Sequence, residues 1–278
     1  MKSFHQKVAA ITGAGSGIGQ QLAIQLAQQG AHLALSDVNE QGLAETLSKV
    51  KQYPVHVTLT KLDVSDREAV QSWAAQTVKD HGQVNLIFNN AGVALASTVE
   101  GMSYEEAEWI FNINFWGVVY GTKAFLPYLK QSGDGHIINI SSLFGLTAQP
   151  TQSAYNATKF AVRGFTEALR QELDLENVGV SATCVHPGGI RTNIANSARM
   201  SDSIRSLGMN PERASSAFNK VLKTPPEVAA KVILNAVQNN ERRVLIGNDA
   251  KIIDLIQRIA PTHYAQAMDL LSGKKKRK

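Results

Sequence analysis

A chain of 278 residues, 44% of them hydrophobic, can bury the core of one α/β domain with appendages but is cramped for two full domains. Its formal net charge of +5 sits at the end: Lys274 to Lys278 supply five of the 28 basic residues, leaving 23 against 23 acidic ones, and a neutral body lacks the clustered basic face that nucleic-acid binding needs. The start, MKSFHQK, has no room for a signal peptide, no apolar run approaches the roughly 20 residues of a membrane span, and the single cysteine, Cys184, has no disulfide partner, so the expectation is a soluble protein of a reducing compartment, the cytoplasm.

The first strand is read in KVAAIT. The stretch TGAGSGIG, Thr12 to Gly19, follows it, then a helix, IGQQLAIQLAQQG, closing on Gly30, a natural C′ residue. Strand, Gly-rich turn and helix place backbone N–H groups and a helix N-terminus where an anion would sit. Gly13 allows the tight turn, Gly17 the close approach of a pyrophosphate and Gly19 the packing of helix on strand, with Ser16 and Ile18 in the same turn. The spacing departs from G-x-G-x-x-G, and the absence of a Gly-Lys-Ser/Thr ending argues against a phosphate-loop NTPase.

The second strand, HLALSD, ends at Asp37, 18 residues after Gly19, about where an acidic residue meets the adenosine ribose hydroxyls in dinucleotide folds. A carboxylate there repels a 2′-phosphate, which favours NAD over NADP; the alternative is a helix cap at a strand end. After the third strand, VHVTLT, Asp63 is placed to accept from an adenine amino group and Val64 to pack on the ring, or Asp63 is a turn residue before a cap at Asp66. VNLIFNN, HIINIS, VSATCV and RRVLIG read as further strands. Between them lie helices at about Tyr104–Lys130 and Gln152–Leu175, and one in PPEVAAKVILNAVQNN, whose double proline suits a helix start. The stretch 188–224 has no clear period and reads as a substrate lid. Strands alternating with helices imply right-handed crossovers, and strands apolar on both sides imply a sheet covered on both faces. The fold class expected is α/β: a doubly wound, mostly parallel seven-stranded sheet in one catalytic domain, 1–250.

Tyr155 and Lys159, in YNATK, lie four apart on one helical face. An ammonium beside a phenol stabilises phenolate and lowers a pKa near 10 toward working pH, which makes Tyr155 the candidate acid/base. NNAG at the end of the fourth strand, Asn89 to Gly92, puts a small-residue turn at the carboxyl edge of the sheet, where ligands bind. Asn89 would tie neighbouring strands together, and Asn90, Ala91 and Gly92 would pass close to a cofactor. His186 reads as a strand-end histidine rather than a catalytic one, and Cys184 as a small core residue. The seven histidines show no H-x-x-x-H or Cys/His cluster, so no metal is expected.

From about Val8 to Thr192 the chain resembles the short-chain dehydrogenase/reductase superfamily. Its T-G-x-x-x-G-x-G is TGAGSGIG, its N-N-A-G is NNAG, its asparagine segment is INFWG with Asn114, its serine lies in NISS, its Y-x-x-x-K is YNATK and its P-G-x-x-x-T is PGGIRT, Pro187 to Thr192. The family's spacing of 13 residues from serine to tyrosine selects Ser142 over Ser141. The resemblance implies a Rossmann-type fold, a nicotinamide cofactor and a tetrad of Asn114, Ser142, Tyr155 and Lys159. Ser142 would orient the substrate oxygen, Lys159 would bond the nicotinamide ribose, and Asn114 would hold a water linking Lys159 to solvent. Pro187, Gly188, Ile190 and Thr192 would hold the carboxamide. It also implies a homodimer or homotetramer formed through the two long helices.

Val93, Leu95, Leu143, Phe144, Leu146 and Ile190 are expected around the reacting carbon, with Met200, Ile204, Leu207 and Met209 in the lid. Such a pocket favours a lipophilic alcohol or carbonyl compound, unless these side chains serve as core packing. The expected function is an NAD-dependent alcohol dehydrogenase or carbonyl reductase. Two alternatives are an epimerase or dehydratase relative, for which the roughly 90 residues after Pro187 are short, and a non-catalytic dinucleotide sensor, against which the intact tetrad argues. The C-terminal extension, 251–278, carries Ile252, Ile253, Leu255, Ile256 and Ile259, then Met268, Leu270 and Leu271 before the basic run. It is read as a helix packed on its own or a neighbouring subunit with a solvated tail; peripheral contact with an anionic membrane is the alternative.

Overall fold

The computed structural model describes residues 1–271. The basic run Lys274–Lys278 and the side chains of Met268, Leu270 and Leu271, on which the membrane reading partly rests, lie outside the described residues. Strand β1 (Val8–Thr12) leads through α1 (Gly17–Gln28), β2 (His32–Asp37), α2 (Glu40–Val50), β3 (Val57–Lys61) and α3 (Arg67–His81) to β4 (Leu86–Asn89). Next come β5 (Leu95–Ala96), α4 (Tyr104–Phe111), a π-helical turn Asn112–Trp116, α5 (Gly117–Ser132), β6 (Gly135–Ile140), α6 (Ser153–Glu176) and β7 (Val180–Pro187). The remaining elements are β8 (Arg199–Met200), α7 (Pro211–Asn219), α8 (Pro226–Gln238), β9 (Arg243–Ile246), α9 (Asn248–Ile259) and α10 (Tyr264–Leu271).

Seven strands pair in parallel in the order β3-β2-β1-β4-β6-β7-β9. Strand side chains alternate between two buried layers. Ile11, Leu33, Leu35, Phe88 and Ile138 pack against Leu22 and Leu26 of α1 and Ile233 of α8. Ala10, Ala34, Ile87 and Ile137 pack against Trp73 of α3, Phe125 of α5 and Leu169 of α6. Two apolar layers explain why the strands read as unbroken hydrophobic runs.

The single helix expected over Tyr104–Lys130 is divided. The π-helical turn turns Asn114 inward, where it is fully buried; an inserted residue of this kind is how a helix re-aims one side chain. The aperiodic stretch 188–224 contains 3₁₀ turns at Asn193–Ala195 and Asp202–Leu207, and its β8 pairs in parallel with β5, Leu95 opposite Arg199. These pieces are too short to carry a period. Helix α9 begins before residue 250 and is packed on the domain: Ala250 is buried against Leu143 and Leu146, and Asp254 pairs with Arg243 and Arg258. Tyr264 of α10 accepts a hydrogen bond from the Ala148 amide at 3.0 Å. Ile252, Leu255 and Ile259 remain exposed. No helix among the described residues is long and apolar enough to cross a membrane.

A buried polar cluster ties strands and helices beneath the site. Asn89 Nδ2 donates to Asn139 Oδ1 at 2.8 Å and to Thr122 Oγ1 at 3.1 Å, and Asn139 donates to Thr166 at 3.0 Å. This is the cross-strand role expected of Asn89. Gly121 of α5 makes room for it, since a Cβ there would lie 2.1 Å from Asn89 Oδ1. Gly121→Ala is therefore expected to cost about 1–3 kcal/mol through overpacking, despite the better helix propensity of alanine; an unchanged midpoint in a urea titration would contradict the packing.

Candidate functional site

Strand order reverses between β1 and β4, and at the carboxyl edge beside this reversal a cleft of about 630 Å³ opens, as expected at a topological switch point. Gly13, Ser16, Ile18, Asp37, Asp63 and Val64 line it, together with Asn90, Ala91 and Gly92, then Ser142, Tyr155 and Lys159, and finally Pro187, Gly188, Ile190 and Thr192. Gly17 and Gly19 act by packing: a Cβ on Gly17, at φ +55°, would lie 3.0 Å from Thr192 Cγ2, and one on Gly19 would lie 2.2 Å from the Gly13 carbonyl oxygen. Ser16 precedes α1 in extended conformation with no side-chain cap bond, leaving N–H groups of the first turn without that partner.

Three side chains clamp the Gly-rich turn. The Thr12 hydroxyl accepts from the amides of Asn90 and Ala91 at 2.9 and 3.0 Å, and Asn90 Nδ2 donates to the Thr12 carbonyl at 2.9 Å. Asp37 Oδ2 accepts from the Gly15 amide at 2.9 Å. The cap of α2 is Asn39, so Asp37 is not the helix cap that was the alternative for it. Asp63 accepts from the amide and hydroxyl of Ser65, while Asp66 caps α3; Asp63 thus forms its turn and lines the cleft at once.

Both adjacent serines border the cleft, but Ser141 is buried and its hydroxyl is spent on the Lys159 carbonyl at 2.8 Å, whereas the partly exposed Ser142 accepts from the Phe144 amide at 3.0 Å. Burial pushes the Tyr155 phenol above its ordinary pKa, and a hydrogen-bonding interaction with Ser142 pulls it down. Burial also lowers Lys159 to about 8. Its Nζ donates to the Ile140 carbonyl at 3.0 Å and stands 5.7 Å from the centre of the Tyr155 ring. The expected depression of the phenol is corrected accordingly: burial outweighs it, and Lys159 is bonded to the Ile140 carbonyl. Asn114 accepts from the Val93 amide at 2.8 Å and donates to the Val93 carbonyl at 2.9 Å. Asn114 and Lys159 meet across Gly92, where a Cβ would lie 3.1 Å from Asn114 Oδ1 and 3.5 Å from Lys159 Nζ.

Val93 and Ile190 line the apolar end of the cleft as expected, joined by Trp109, Ile113 and Ile194, which lie on segments whose inward face the sequence does not reveal. Phe144 stands edge-on to the Tyr155 ring at 6.1 Å. Leu95 instead packs beside Ile110, and Leu143 and Leu146 pack under Ala250; these three belong to the core. In the stretch 188–224, read as a lid, Ile204 is buried, whereas Leu207 and Met209 are exposed.

His186 is fully buried, and burial lowers its pKa to about 4, so the ring is neutral at pH 7. Its Nδ1 lies 3.0 Å from the Ser142 carbonyl oxygen, an acceptor, which assigns the proton to Nδ1. Cys184 is buried, its thiol pushed up to about 12. Among the described residues no His, Cys, Asp or Glu cluster could hold a metal. Asp249, at the start of α9, accepts from the Gly189 amide at 2.7 Å and fixes the turn after Pro187. Sequence reading missed it because the contact spans 60 residues.

The model for the short chain dehydrogenase family matches residues 7–203. A Mycobacterium tuberculosis protein that carries the name oxidoreductase SadH is 49% identical over 265 residues, covering 95% of this chain and 94% of that one. Mouse estradiol 17-beta-dehydrogenase 11 is 28% identical, with 96% and 84% covered. Among solved structures, a short chain dehydrogenase/reductase from Burkholderia phymatum in complex with NAD superposes with a TM-score of 0.82 at 28% identity, covering 100% of this chain and 99% of that one. The matched residues, the strand order and the Ser142–Tyr155–Lys159 cleft agree, and the chain belongs to the short-chain dehydrogenase family.

Proposed function

We propose that this protein interconverts a lipophilic alcohol and its ketone or aldehyde with a nicotinamide dinucleotide, NAD in preference to NADP. The observation that carries this reading is the convergence of Ser142, Tyr155 and Lys159 on the same cleft as the Gly-rich turn. The residues fit the cofactor: Gly13, Ser16 and Ile18 of the Gly-rich turn line the cleft together with Asp37, whose carboxylate would meet the adenosine ribose. The Burkholderia relative was solved with NAD. When bound, the dinucleotide supplies the hydride acceptor or donor.

The remaining chemistry belongs to the chain. Ser142 holds the substrate oxygen beside the Tyr155 hydroxyl, which gives or takes the proton. Burial disfavours the Tyr155 phenolate and a neighbouring ammonium favours it; Lys159 keeps two further N–H donors beside the one it gives to Ile140. The space beside Gly92 lets a water join Asn114 to Lys159 and carry the proton out. Val93, Trp109, Ile113 and Ile194 give the apolar wall that suits a lipophilic substrate. The exposed Tyr104, Trp116, Phe160 and Leu175 on α4, the π-helical turn and α6 support pairing of these helices between copies.

Tyr155→Phe removes only the phenolic hydroxyl and is expected to lower kcat by about 10²–10⁴-fold with NAD binding nearly intact; retention of more than about a tenth of wild-type kcat would overturn the assignment. Asp37→Ala is expected to weaken NAD by about 10–150-fold if a charged hydrogen bond worth about 1.5–3 kcal/mol is lost, while NADP weakens less. Because Asp37 also staples Gly15, equal weakening of both cofactors would mean that its role is confined to the turn. Light scattering at micromolar concentration is expected to show a dimer or tetramer, and a monomer would contradict the helix pairing.

A further inference from the structure

We propose that Arg199 is a head-group site and that the substrate is an anionic amphiphile, carrying a carboxylate or phosphate at the end remote from its reacting carbon. The inference deepens the reading of the cleft given above and names a residue that the family motifs do not include. Its starting point is Trp109, which lines the cleft. The Arg199 guanidinium carbon lies 3.6 Å from the centre of the Trp109 ring. Stacking uses the flat face of the guanidinium and leaves its in-plane N–H donors available. Among the described residues no carboxylate and no carbonyl takes them up.

The position is built rather than incidental. The Arg199 amide donates to the Ala94 carbonyl at 3.0 Å, and Ser201 donates to Ala96 at 2.9 Å, so β8 is fixed in register along β5. Ala94 itself lines the cleft. Backbone ladder and ring stack together hold one exposed planar donor fork against Trp109 and Ala94, two residues of the cleft wall, and a pre-organised fork suits bidentate recognition of carboxylate or phosphate.

The charge around it points the same way. The lid stretch 188–224 holds six basic and two acidic side chains, although the body of the chain is neutral. Both acids, Asp202 and Glu212, pair with the single Arg205. Arg191, Arg213, Lys220 and Lys223 make no ion pair among the described residues. A segment that carries an excess of one sign of charge next to a cleft draws ligands of the opposite sign toward it. Between head group and reacting carbon the wall is apolar: Val93, Ala94, Trp109 and Ile113 line the cleft on the way to Tyr155. The ligand class that matches is a hydrocarbon body with an anionic end.

Calorimetric titration of the full-length protein, with and without NADH, tests this using decanoate, decyl phosphate and neutral decanamide as probes. At least one anion is expected to bind ten times more tightly than decanamide. Arg199→Met is expected to abolish that advantage while leaving decanamide affinity unchanged, and Arg199→Gln, as a second variant, to behave alike. Decanoate and decyl phosphate compared with each other distinguish a carboxylate from a phosphate head. Equal affinity of anions and amide in the wild type, survival of the anion preference in both variants, or no saturable binding of either anion would overturn the proposal. Failure of the oxidoreductase reading is seen separately, as absence of NADH formation from alcohols.

Discussion

The cleft depends on one constraint, the reversal of strand order between β1 and β4. Connections on either side of that point leave on opposite faces of the sheet, so no crossover covers the carboxyl ends of the two strands and a crevice must open there. Everything placed on those ends then meets in one volume. The crevice stays narrow because the strands are bolted together across it: Thr12 holds the amides of Asn90 and Ala91, and Asn90 returns a hydrogen bond to the Thr12 carbonyl. Thr12 is fully committed by these bonds, so its hydroxyl serves geometry rather than chemistry.

The buried layers below the crevice set how rigidly the reacting groups are held. Asn89, Asn139 and Thr166 join β4, β6 and α6 in one hydrogen-bonded set, which fixes the distance between NNAG and the helix bearing Tyr155 and Lys159. From the far side, His186 meets the Ser142 backbone and Asp249 meets the Gly189 backbone. Residues from β7 and α9 therefore position the serine and the turn after Pro187, His186 from 44 and Asp249 from 60 positions away along the chain. Extending the fold beyond β9 thus supports the site and is more than an appendage.

Local patterns made much of this legible. The apolar runs and the glycine-rich turn identify strands and crossover because a doubly covered sheet and a close backbone approach leave no freedom in residue type. Asn114, Ser142, Tyr155 and Lys159 were readable through the family pattern, and their meeting in space follows from the sheet order. What escaped the sequence has a common physical cause, namely contacts between segments distant along the chain. The π-helical turn at Asn114 interrupts a pattern that is helical on both sides. Asp37 has a second task on Gly15 that no spacing announces. Leu143 and Leu146 follow the serine closely, yet face α9 rather than the cleft. The balance of forces on Tyr155 was misjudged because spacing on a helix does not reveal that Lys159 is drawn to the Ile140 carbonyl.

The central claim is that the crevice at the strand reversal is a dinucleotide site with an aromatic residue, Trp109, in its wall. Titration of the protein with NADH, following cofactor emission on excitation of tryptophan, tests it most directly. The account predicts energy transfer that saturates at one NADH per chain and is reduced in Trp109→Phe. Absence of saturable transfer in the wild type, or full retention of it in Trp109→Phe, would contradict it.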